Sequence, residues 1–145
     1  MRRSDTGRRM ILPPDMALAR IFAILATLIL SLVALLQVLL AAGAPLGRLA
    51  WGGEHRILPA KLRLGSVAAI PLLVLAAWAI LARVDLVLPG TDVAVVPVGT
   101  WIFGGLFVLN TLGNLASKSQ VERIVMTPLA LILAACFIAV SLMGR

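Results

Sequence analysis

The chain has 145 residues, of which 61% are hydrophobic and 13% charged, whereas a soluble domain averages about half apolar and about a quarter charged. A globule of this length cannot hide that excess, because it must still cover itself with polar surface, so the composition excludes an ordinary soluble domain and makes anionic lipid, not nucleic acid, the natural partner of the net charge of +7. A single cysteine, Cys136, and a single histidine, His55, exclude a disulfide framework, a CxxC redox pair and a zinc site of several His or Cys ligands, and no metal or cofactor is expected.

Four apolar runs are each long enough to cross a hydrocarbon core, which needs about 20 helical residues. They cover residues 21–42, 64–82, 93–116 and 124–143 and contain no Asp, Glu, Lys or Arg. The expected fold is all-α: one integral membrane domain over residues 21–145, a four-transmembrane-helix bundle, preceded by a basic tail over residues 1–20. Pro13, Pro14 and Asp15 read as the start of the first helix, with Asp15 as N-cap, and Gly43 and Pro45 as its stop. The basic start, the apolar run and the triplet Ala42-Gly43-Ala44 share features with a cleavable signal peptide, but the run exceeds the roughly 7–15 residues of a signal h-region. Pro71 inside the second run predicts a kink. Pro89-Gly90 marks the next turn, with Thr91 or Asp92 as the following cap.

Basic residues number seven on the N-terminal side of such a bundle and six on the other, a near tie under the positive-inside rule. Arginines at positions 2, 3, 8, 9 and 20 favour both termini cytoplasmic, and a start at Met10 or Met16 reverses the count. Whatever the orientation, four crossings bring the 43–63 loop, the 117–123 turn and the Gln37 end of the first helix to one face.

Polar side chains inside the runs are few. Asn110, Asn114 and Ser117, at i, i+4 and i+7, fall within roughly 60° of one another on one helical face, and Asn110 lies about 9 Å from the helix end. A carboxamide there needs a partner that lipid does not supply. These residues are expected either to wall a ligand pocket or to act as interhelical hydrogen-bonding glue. Gln37 sits at similar depth on the same side, and a Gln37–Asn110 pair across the bundle is the expected contact. Ala19, Ala23, Thr27 and Ser31 at i+4 steps, Gly65 with Ala69, Ala130 with Ala134, and Gly104-Gly105 are the small-residue features that favour close helix approach. Trp78 and Trp101 suit an interfacial belt, and Cys136 reads as an inert small hydrophobe.

The loop Gly43–Arg63, GAPLGRLAWGGEHRILPAKLR, is unlike a plain linker. Gly52-Gly53 permits positive φ or close backbone approach, and Trp51 can sit at headgroup level. Glu54 and His55, beside Arg56, are the pair best suited to acid and base work near neutral pH; the plainer alternative is a solvated loop contacting headgroups. The stretches GAPLGRLAWGGEHRILP and NTLGNLASKSQVER resemble those of small uncharacterised bacterial four-helix integral membrane proteins. That resemblance runs from Leu35 onward and implies the architecture without implying an activity. Eleven arginines against two lysines also suit a GC-rich bacterial coding sequence.

Coupled transport normally needs an ionisable residue within the membrane, and the runs hold none. The chain lacks the embedded glutamate of small four-helix multidrug exporters, and its third run does not match small fluoride channels. An isomerase-type enzyme would use Glu54 and His55, with Asn110 and Asn114 orienting substrate; sterol isomerases of this size carry their acids within the helices, which this chain does not. An uncoupled homo-oligomeric pore is a further alternative. The expected function is binding of a lipid or apolar ligand in a polar-walled pocket under the 43–63 loop, lined by Gln37, Trp51, Glu54, His55, Arg56, Asn110, Asn114 and Ser117. The alternative is an accessory subunit packed against a larger membrane partner or a second copy.

Overall fold

The computed structural model describes residues 13–88 and 94–144, all helical or loop. Four helices, α1 (Pro14–Ala42), α2 (Ala60–Arg83), α3 (Val95–Leu115) and α4 (Gln120–Met143), carry the chain up and down four times, with two single 3₁₀ turns, Gly47–Leu49 and Trp51–Gly53, between α1 and α2. Each is long and apolar enough to span a membrane, and between 17% and 39% of its most apolar window is buried inside the bundle. The remaining apolar surface faces outward, as a multi-pass membrane protein requires.

Three helices, α1, α2 and α4, start before their apolar runs, whereas α3 falls inside its run. α1 begins at Pro14, so residues 14–20 of the expected tail are helix; Pro14 occupies the first turn, where its missing N–H costs no hydrogen bond. Pro13 is the N-cap and Asp15 lies within the first turn, favoured there by the helix dipole, which corrects the expected Asp15 cap. Burial of Met16 and Ala19 extends the helix past the charged Arg20, whose Nε donates to Val84 O at 3.1 Å. At the other end Gly43, at φ 91°, closes α1 in the left-handed conformation, and Ala44 N–H reaches back to Leu39 O. Arg63 Nε donates to Ala41 O at 2.7 Å, placing a cation at this helix C-terminus. The Thr91 or Asp92 cap expected for α3 lies outside the described residues, whereas Ala94 is the observed N-cap. Helix α2 runs through Pro71, and α4 through Pro128.

The core gathers at the end of the bundle where α1 begins. Ala19, Ala23, Ala26 and Leu30 of α1 pack with Ala76, Ile80 and Val84 and with Leu133, Phe137 and Val140 of α4. Phe137 also meets the tilted rings of Phe103 and Phe107, at 6.1 and 5.2 Å between centroids. The buried small-residue line on α1 runs through Ala26 and not through Thr27 and Ser31 as the i+4 spacing suggested. A helix of 3.6 residues per turn drifts off a strict i+4 row, and the two hydroxyls bond back to Ala23 O and Thr27 O on their own helix. Helix α3 packs mainly on α4 and α1 mainly on α2; α1 against α4 closes the ring, while the α2–α3 seam is thinner. At its far end the bundle opens, and the loop and the α3–α4 turn meet there.

Candidate functional site

The loop is built as a cover. Gly47 N–H donates to Arg56 O at 3.0 Å and Leu58 is buried, which folds the segment into a lobe. Trp51 follows with a positive φ of 58°, a conformation that costs a bulky residue of order 1–3 kcal/mol. Two contacts hold it. Its indole Nε1 donates to the fully buried Ser66 Oγ at 3.1 Å, and its six-membered ring lies so close over Gly65 that a Cβ there would stand 2.8 Å from the ring. The glycine expected for helix approach thus receives an aromatic side chain. On the opposite flank Ser119 Oγ donates to Arg48 O at 2.8 Å, joining the cover to the α3–α4 turn.

Beneath Trp51 and Gly52 lies a cavity of about 380 Å³. Gln37 of α1, Asn110 and Asn114 of α3, Ser117 of the turn and Glu122 of α4 give it polar walls, with Leu36, Met126 and Leu129 among the apolar ones. Five of the residues singled out from sequence, Gln37, Trp51, Asn110, Asn114 and Ser117, are therefore brought together. Glu54, His55 and Arg56 are not: all three are exposed and none lines the cavity. An acid–base pair acting on a molecule held there is not formed by this geometry.

The polar groups do not pair as expected. Asn114 Nδ2 donates to Asn110 Oδ1 at 2.9 Å along α3, one helical turn apart, so the one bond between carboxamides here is made within the helix. Gln37 Oε1 is buried without a hydrogen-bond partner, and the expected Gln37–Asn110 pair is absent. The cost of leaving such an acceptor unsatisfied is about 1–3 kcal/mol, an outlay that a bound donor removes.

Glu122 is the residue that sequence reasoning missed. Only 6% exposed, it lies in the first turn of α4. Ser119 caps that helix by accepting the Glu122 N–H at 3.3 Å. Ser117 Oγ donates to Glu122 Oε2 at 2.5 Å and in turn accepts the Ser119 N–H at 3.1 Å. This is a capping box relayed through an inserted hydroxyl, and the dipole of α4 favours the carboxylate at that position. Its signal in the sequence is the S-x-x-E spacing of Ser119 and Glu122 ahead of an apolar run.

A second, larger opening of about 510 Å³ follows the thin α2–α3 seam. Leu72 and Leu73 face Phe103, Leu106, Phe107 and Leu109 across it, and Ala69, Asn110, Gly113 and Asn114 border both spaces. The polar chamber and the apolar groove are thus neighbours sharing one wall. Comparison with protein-family models, curated proteins and solved structures finds no match.

Proposed function

We propose that the protein binds an amphiphilic, lipid-like molecule, with its polar head in the chamber under Trp51 and its apolar chain in the α2–α3 groove. The observation that carries this reading is the shared wall of Ala69, Asn110, Gly113 and Asn114 between a polar chamber and an apolar groove. The unpartnered Gln37 Oε1 supports it: of the described residues with buried, unpartnered side-chain atoms, Gln37, Arg83, Thr127 and Ser141, it alone lines the chamber. A pocket with a few convergent polar groups in apolar surroundings is what small-molecule sites share. The setting we propose is a bacterial cytoplasmic membrane with both termini on the cytoplasmic side, supported by the arginines at positions 2, 3, 8, 9 and 20.

Native mass spectrometry of the protein in lipid nanodiscs tests the reading. A discrete bound mass is expected on the wild type, lost in Asn114→Leu and in Ala69→Trp, the latter filling the junction of the two spaces. Occupancy in His55→Ala is expected to match the wild type; its loss there would move the site to the exposed face of the loop. A protein that carries no bound mass, or only a second polypeptide, favours the accessory-subunit alternative.

A further inference from the structure

The charge pattern of the chamber selects among head groups. In a chain of net charge +7, no Lys, Arg or His among the described residues lines this cavity, whereas Glu122 does. Arg48, Lys118 and Arg123, the cations nearest in sequence to its roof and floor, are exposed and outside its lining. The N-terminus of α4, the element here that would attract an anion, is served in part. Ser119 Oγ takes the Glu122 N–H, Ser119 O takes the Arg123 N–H, and the Glu122 carboxylate occupies the positive end of the dipole. A phosphate or carboxylate head would enter beside a buried carboxylate with no cation among the described lining residues to compensate it, and like charges in such a place repel. Acceptors stand in the same walls: Glu122 has one hydroxyl donor, Ser117, on Oε2, and Gln37, a lining residue, has an Oε1 that is closed off from solvent and has no donor.

From this we propose that the head group taken by the chamber is a hydrogen-bond-donating cation, a primary ammonium on an alkyl chain, held between Gln37 Oε1 and the Glu122 carboxylate. The proposal rests on the amphiphile reading above and deepens it. A primary ammonium brings three donors and a positive charge, and charge-assisted bonds to a carboxylate are the stronger class. The groove between α2 and α3 gives the attached chain a lateral path from the lipid, so neither end of the molecule needs to cross bulk water.

The test uses the full chain in nanodiscs of phosphatidylcholine, whose head has no N–H donor. Dodecylamine, 1-dodecanol and dodecyl phosphate are added at equal mole fraction near neutral pH, and bound mass is counted. Dodecylamine is expected to exceed both others by roughly tenfold, the scale of one charge-assisted hydrogen bond. Glu122→Gln, which keeps an acceptor for Ser117 and removes the charge, is expected to bring the amine down to about the level of the alcohol. Gln37→Leu, which does not disturb the α4 cap, serves as the second variant and is expected to weaken the amine more than the phosphate. Equal or better binding of the alcohol or the phosphate overturns the head-group assignment and leaves the amphiphile reading standing. So does a preference for the amine that persists in both variants, because the site would then lie elsewhere. Binding of none of the three overturns both.

Discussion

Gln37 illustrates how much one atom decides. Its Oε1 is buried without a donor, so in the empty protein it opposes folding, and replacing the side chain by leucine removes the unsatisfied group at similar volume. Gln37→Leu is therefore expected to be more stable than the wild type by about 1 kcal/mol, read by thermal or denaturant unfolding in detergent. Ligand occupancy should fall in the same variant. Stability and binding moving in opposite directions separates a retained functional group from packing glue, whose loss would lower both. The sequence located Gln37 correctly in depth, since helical rise fixes it, but not its partner. Whether two amides on different helices meet depends on rotation about their axes, whereas Asn110 and Asn114 are neighbours on any α-helix.

At the scale of elements, the apolar runs were legible because lipid leaves no alternative to about 20 helical residues. Their ends were not. Arg20, Arg63 and Glu122 are charged, and hydropathy reads charge as a boundary, yet each is accommodated within a helix by a specific acceptor or donor at the bundle rim. The loop was legible as unusual but not in its direction. Irregular backbone has no period from which to read facing, so nothing in the sequence distinguished Trp51, which covers the chamber, from Glu54, His55 and Arg56, which face away from it. Ser119 ties two of these elements together, as the α4 cap and as the donor to Arg48 O. Ser119→Ala is expected to cost about 1–2 kcal/mol, measured as a lower unfolding midpoint, with the Trp51 cover loosened and its emission shifted accordingly in a Trp78→Phe, Trp101→Phe background.

Across the whole molecule the packing is uneven. Tight contacts join α1 with α2 and α3 with α4, and a dense core knits α1, α2 and α4 at the end where α1 begins. The α2–α3 seam is left thin, and its lining is apolar apart from Asn110 and Asn114. A bundle of small residues alone has no reason to stay open on one side. Here Phe103 and Phe107 lean toward Phe137 of α4, which draws α3 to α4 and leaves α2 behind. That asymmetry could not be read from the chain, because each helix carries apolar residues on every side and the pattern does not single out an inner face.

The clasp between Ser119 Oγ and Arg48 O also bears on the order of assembly. It joins the connection within the first hairpin, α1 and α2, to the connection within the second, α3 and α4, so the chamber is completed only when the two hairpins have come together. Of the covalent link between them, the described residues 84–88 and Ala94 contribute no lining to it. Cut within that link and made as two polypeptides, the hairpins are expected to insert separately and then co-purify. Amphiphile occupancy should then be recovered from the mixture and be absent from either half.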